Sequence, residues 1–171
     1  MTEAPLDVYR SYDAPAAPPN EKQETMLAAE RMDEQQIVES MKGRMIEKLF
    51  HEIEQRRPDG VIIKIPVLAW AGVKYFALQL GHMTVEKVEL NETEDKYRAT
   101  AWAYDKKRDI RVMGAAEQSK MMKLRDGSKI PDEFALAKVV SKSQRNALRA
   151  LIPETLISEA FQQWKNRKPS T

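Results

Sequence analysis

The sequence predicts an α+β fold: a three-stranded antiparallel meander packed on a long basic helix, with additional helices toward the N- and C-terminal ends. Three observations predict it. Two polar turns, Asn91-Glu92-Thr93-Glu94-Asp95 and Asp105-Lys106-Lys107-Arg108-Asp109, separate three strand-like runs. A stretch of helical spacing, Asp132 to Ile152, follows them after a basic loop. Apolar residues at three- and four-residue intervals recur on both sides of this unit.

The elements read as follows. Residues 1–20 carry four of the nine prolines and no period of either kind, and are expected to be a disordered tail. From Glu21 to Arg57 the positions Met26, Ala29, Met32, Ile37, Met41, Met45, Leu49 and Ile53 predict one or two helices, weakened at Gly43 and ended by Pro58-Asp59-Gly60. This makes residues 21–60 an acidic helical region, whose Met-rich stripe reads as core or subunit contact. Val61 to Ile65 is a β-branched run that predicts a strand. Val67 to Leu80 is long, apolar and Ala-containing, which favours a buried helix, with Gly81 as its stop.

The meander strands are Met83–Leu90, Lys96–Tyr104 and Ile110–Ala116. Short turns between them require antiparallel pairing. In the middle strand Tyr97, Ala99, Ala101 and Ala103 share one face, and Arg98, Thr100, Trp102 and Tyr104 the other. Residues 117–131 read as a basic loop with a turn at Asp126-Gly127. Asp132 reads as the N-cap of the long helix. Pro153 ends that helix, and Glu154 to Arg167 forms a last amphipathic helix before a short tail at 168–171. The core domain is thus expected over residues 61–167.

Charge is unevenly distributed. Formal net charge is only +2, yet Met1–Gly60 holds 8 Lys/Arg against 13 Asp/Glu, and Lys106–Arg149 holds 12 against 5. On charge alone, two solvated faces and a basic working surface remain equally open readings. The absence of cysteine excludes disulfides and thiolate metal sites. No apolar run approaches the roughly 20 residues a membrane span needs, and the N-terminal residues lack the pattern of a secretory signal. A soluble, intracellular protein is expected, with no membrane partner.

The long helix concentrates the chemistry. Lys138, Lys142, Arg145 and Arg149 are four, three and four residues apart, which places them on one face. No acid lies between the first and the last, so pairing within that stretch cannot neutralise the row. Cations one turn apart can follow successive phosphates of a nucleic acid, with a steep dependence on salt. Alanine at Arg145 and Arg149 is expected to abolish single-strand binding and leave the fold intact. Trp102 and Tyr104 offer stacking surfaces for bases if exposed, or core packing if a helix covers them.

The order of helix, meander, basic loop and basic helix, together with the segments GAAEQSK and FALAKVVSKSQRNALRALIP, resembles the annealing domain of the Rad-type single-strand annealing proteins and their phage Erf-type relatives. The matching positions are Gly114, Glu117, Lys138, Lys142, Arg145, Asn146, Ala147, Leu148 and Arg149, within a resemblance that spans roughly Val61 to Ile152. It implies single-stranded DNA binding and annealing of complementary strands in recombination or repair, without cofactor or metal. It also implies a ring-shaped homo-oligomer and a partner such as a recombination or single-strand-binding protein. Lys142, Arg145 and Arg149 would line the inner part of a DNA groove, with Lys138 in the same row. Lys64, Lys74, Lys106, Lys107 and Arg108 would add contacts. The helix before the meander and the acidic N-terminal helix depart from the family pattern.

Other classes carry less. His51 and His82 lie on different elements without metal spacing, and read as a surface helix residue and a turn residue. No phosphate-binding loop, dinucleotide fingerprint or nucleophile elbow is present, so no enzyme is expected. Glu86, Glu89, Glu92, Glu94 and Asp95 read as a solvated strand edge and turn. A passive single-strand DNA or RNA-binding module would present the same basic face without annealing. An interaction protein that docks a partner on its acidic helix is a further alternative.

Overall fold

The computed structural model describes residues 21–167; the expected tails at 1–20 and 168–171 lie outside the described residues. The element order is α1 (Glu21–Met41), β1 (Phe50–Arg56), β2 (Ile62–Leu68), α2 (Trp70–Leu80), β3 (Met83–Glu92), β4 (Lys96–Asp105), β5 (Ile110–Ser119), β6 (Met121–Lys123), β7 (Lys129–Pro131), α3 (Ala135–Leu151) and α4 (Glu154–Arg167). The architecture is α+β, with the antiparallel sheet β3-β4-β5 packed against α3, as the alternation and turns predict.

The meander's inner face is built for close approach. Ala99, Ala101 and Ala103 are fully withdrawn from water, and Ala101 and Ala103 pack with Ala147 and Leu151 of α3. Small side chains let the helix lie near the strands. At Gly114 of β5 even a methyl is excluded: an added Cβ would meet backbone atoms of Ser143, Asn146 and Ala147 inside van der Waals contact. Asn146 Nδ2 then donates to the Ala115 carbonyl at 2.8 Å, which pins the helix to the β5 edge. Gly114, Asn146 and Ala147, three positions of the family-like motif, therefore form one helix–strand contact.

A second apolar cluster joins Phe50, Val73, Phe76, Ile152 and Ile157, with Phe161 edge-on and Trp164 tilted against Phe50 at centroid distances of 5.7 and 5.5 Å. It binds β1, α2 and α4 together. α2 ends at Gly81, whose φ of 70° closes the helix through a bond from its N–H to the Ala77 carbonyl.

Several expectations need correction. The helix predicted through Arg57 stops at Met41, and Gly43 turns the chain with φ 75°. Residues 50–56 are a strand, because Phe50 and Ile53 are buried across a hairpin in which Phe50 faces Leu68 and Ile53 faces Ile65. The four-residue interval from Leu49 to Ile53 carried no information about that long-range pairing. β2 continues through Pro66 to Leu68, a residue type an edge strand tolerates, and α2 starts at Trp70 rather than Val67. The hairpin β1–β2 thus straddles the expected boundary at 60/61. Finally, the basic loop contains the hairpin β6–β7, turning at Gly127. Asp132 is not the N-cap: α3 begins three residues later, and Asp132 accepts instead from the Phe134 N–H and the Lys138 ammonium.

Candidate nucleic-acid interface

The predicted row on α3 is present, but it faces protein. α3 lies between the sheet and α1, and the acidic helix lays its carboxylates on the cations. Lys138 Nζ is 2.7 Å from Asp132 and 3.7 Å from Glu34. Lys142 Nζ is 2.5 Å from Glu34, 3.3 Å from Glu30 and 3.0 Å from the Gln118 amide oxygen. Arg145 donates to Glu30, Asp33 and Asn146. Arg149 reaches Glu154 at 2.6 Å. Lys138 and Lys142 keep only 8% and 7% of their surface. The expectation of an unneutralised row is thus corrected: no acid of α3 pairs with these cations, but acids of α1, of Asp132 and of α4 do. The cause is tertiary, since α1 lies more than a hundred residues away along the chain.

Asp33 is the centre of this contact. His51 Nε2 lies 2.8 Å from its Oδ1, the Trp70 N–H donates at 2.7 Å, and Arg145 binds the other oxygen. Burial pushes the Asp33 carboxyl up, but the His51 and Trp70 bonds and the Arg145 charge outweigh it and hold the group below the ordinary carboxylate range. Burial likewise pulls the Arg145 guanidinium down, and Glu30 and Asp33 more than restore it. His51, read as a surface helix residue, is a buried strand residue in this network. Arg145 is therefore a packing residue as well as a candidate contact, and its removal is not expected to leave the fold intact.

The other predicted contacts divide. Lys106 and Lys107 stand exposed in the β4–β5 turn, and no ion pair forms on either among the described residues. Arg108 is not free: it binds Asp105 at 2.5 Å and also donates to the Leu151 carbonyl at the end of α3. Asp105 has no exposed surface and also accepts from the Lys107 and Arg108 N–H groups and from His82 Nδ1. Burial pushes its carboxyl up, and these donors more than reverse it, holding it at about 2. Lys64 is exposed on β2, facing Glu54 across the hairpin without an ion pair. Lys74 lies over the Trp70 ring at 4.3 Å.

Further exposed cations stand outside the predicted contacts: Arg56 and Arg57 escaped the sequence reading, and Lys123, Arg125 and Lys129 belong to the expected basic loop. Arg56 and Arg57 flank the β1–β2 turn beside exposed Val61 and Ile62. Lys123, Arg125 and Lys129 stand on the β6–β7 hairpin beside Met121, Met122, Leu124 and Ile130, also exposed. Among the described residues none of these five cations has an acid partner. The signal existed: Arg-Arg-Pro-Asp-Gly before a β-branched run is a hairpin turn. Trp102 and Tyr104 occupy the sheet face opposite α3, as the alternation requires. They are capped by cations of the neighbouring strands, Lys87 at 5.2 Å and Arg111 at 4.0 Å. Those cations are themselves paired with Glu89 and Glu86.

A cleft of about 400 Å³ opens beside Arg145 and Arg149, floored by Leu68, Val73 and Ile157. Among the described residues no cluster of three or more His, Asp or Glu is arranged to hold a metal ion. None of their helices is long and apolar enough to cross a membrane.

These features define an α+β domain whose basic helix is covered by an acidic one. No family model matches the chain, and no solved structure matches it. The chain is similar to an uncharacterized protein of Methanocaldococcus jannaschii, 29% identical over 102 residues. That match covers 60% of this chain and 40% of the archaeal protein, so the chain spans well under half the length of its relative.

Proposed function

We propose that this protein binds single-stranded DNA through its phosphates and anneals complementary strands in recombination or repair. The observation that carries the binding reading is a set of cations on two hairpins that have no acid partner among the described residues: Arg56, Arg57 and Lys64 on β1–β2, and Lys123, Arg125 and Lys129 on β6–β7. Cations held in solvent without acid partners can exchange small counterions for phosphates at little cost. Exposed apolar side chains beside them supply surface for unstacked bases. Lys106 and Lys107 extend the set. The α3 row of Lys138, Lys142, Arg145 and Arg149 joins it only where a phosphate displaces a carboxylate.

Annealing rests on the resemblance of the meander and the SKSQRNALR segment to the annealing domains. It requires screened phosphates, unpaired bases and two strands held together, without acid, base or metal. A ring-shaped homo-oligomer fits the same reading. β3 and β5 are each ten residues long, and each has a free edge among the described residues. A recombination or single-strand-binding protein is the proposed partner and an intracellular compartment the proposed setting. The alternative is a passive DNA or RNA-binding module.

A salt-titrated assay with two complementary labelled oligonucleotides, and a mass measurement on the same sample, tests this. Accelerated annealing by an oligomer supports the reading. Binding without acceleration selects the passive module, and no binding at low salt overturns both.

A further inference from the structure

We infer that α1 is an intramolecular competitor for nucleic acid, a strap across α3: Glu30 and Glu34 occupy the positions on α3 that phosphates would take, and a strand must displace them to reach the row. This rests on the proposed reading that α3 contacts phosphates.

Each of the two carboxylates bridges successive cations. Glu30 spans Lys142 and Arg145, and Glu34 spans Lys138 and Lys142. A phosphodiester following the row would make the same bridges. With Asp132, Asp33 and Glu154 included, five carboxylates meet four cations, so the row as it stands does not attract an anion.

The acids of α1 have separate duties. Asp33 anchors the helix, bonding β1 through His51 and α2 through the Trp70 N–H. Gln36 adds a bond to the Lys48 carbonyl and one from the Ala71 N–H, and Ile37 is buried. Glu30 and Glu34 have no partners other than the α3 cations among the described residues, and both keep contact with solvent, at 36% and 26% side-chain exposure. Toward the N-terminal end Glu24, Met26 and Leu27 are exposed and Ala28 and Ala29 only partly buried, so the described side chains there bury little. α1 is thus fastened at Asp33–Ile37 and lightly held before it. Lifting the light half removes Glu30 and loosens Glu34 while the anchor stays.

The full chain is tested with a fluorescein-labelled 30-nucleotide oligothymidylate over a sodium chloride series. Glu30→Gln with Glu34→Gln is expected to tighten binding about tenfold, the scale of a modest coupling free energy. It is also expected to steepen the dependence of log affinity on log salt by about 1.4, as about two more single-strand phosphates are engaged. Glu24→Gln with Glu47→Gln removes the same charge away from the row and is expected to change neither. Equal tightening by the control pair would mean bulk charge alone and would overturn the strap. So would unchanged affinity in the first pair with wild-type binding intact, a result that leaves the proposed function standing. Binding by no form of the chain at low salt would overturn the function and the strap together.

Because the buried Lys142 loses both of its charged partners in the first pair, hydrogen exchange on the unaltered protein provides a second measurement. Oligothymidylate is expected to increase amide exchange in the first half of α1. Unchanged or reduced exchange there, with the strand bound, overturns the strap.

Discussion

Along α3, Lys138, Lys142 and Arg145 are withdrawn from water and meet carboxylates at every turn. On the β1–β2 and β6–β7 hairpins, Arg56, Arg57, Lys64, Lys123, Arg125 and Lys129 stand in solvent and meet none among the described residues. The residue types are the same; the surroundings decide what each set can do. A buried cation without its partner is a large destabilisation, so the α3 set is bound into the fold. An exposed cation contributes little to stability and is free to hold a phosphate.

The sharpest way to break this comparison is Arg145→Ala. It leaves Asp33 buried with one charged donor fewer, and a loss of about 3–5 kcal/mol in urea unfolding is expected. A variant of wild-type stability would place Arg145 with the hairpin cations. Next in size is Gly114→Ala, where a methyl is driven against the α3 backbone. Overpacking of this kind costs about 1–3 kcal/mol, and the same urea measurement shows whether β5 and α3 are in fact in rigid contact. Arg56→Ala, Arg57→Ala and Lys64→Ala together are expected to leave stability within about 0.5 kcal/mol. The same triple variant should flatten the salt dependence of oligonucleotide binding by about 2. Destabilisation without loss of binding would reverse the assignment of this hairpin.

The smallest effect is acid dependence. Asp33 and Asp105 both have folded values below the ordinary 3.8. Their contribution to stability is therefore complete above that value and is lost as pH falls through the folded one, about 2 for Asp105. Between neutral pH and about 4 their contribution is expected to be flat. Asp105→Asn should weaken the fall in urea midpoint below that; an unaltered fall would exclude Asp105 from the acid response.

Much of the fold was legible in the sequence because it depends on neighbours. Alternation put Ala99, Ala101 and Ala103 on one face of β4 and Trp102 and Tyr104 on the other, and left open whether a helix covers the aromatic face. Gly81 and Pro153 stopped helices where expected. What escaped is long-range. β1 was read as helix because Leu49 and Ile53 are four apart, a spacing that says nothing of a partner strand. The α3 row was read as free because spacing rules weigh only acids within the same helix, whereas Glu30, Asp33 and Glu34 arrive from the other end of the chain. The clue was the charge asymmetry itself: an acidic first third and a basic second half are complementary surfaces, and here they meet. Arg108 shows the opposite case, with its acid partner only three residues away. The Asp105–Asp109 run reads as a polar turn, and nothing local tells that Asp105 is buried and binds Arg108.

The three-way contact at Asp33 has a consequence for synthesis. α1 leaves the ribosome before its partners: the strand, helix start and guanidinium that hold Asp33 follow 18, 37 and 112 residues later. During translation the acidic helix therefore docks in stages, completing the Asp33 contact only once Arg145 has emerged. Contacts of such sequence separation slow folding, and nascent chains halted before Arg145 should hold an undocked, protease-sensitive N-terminal half.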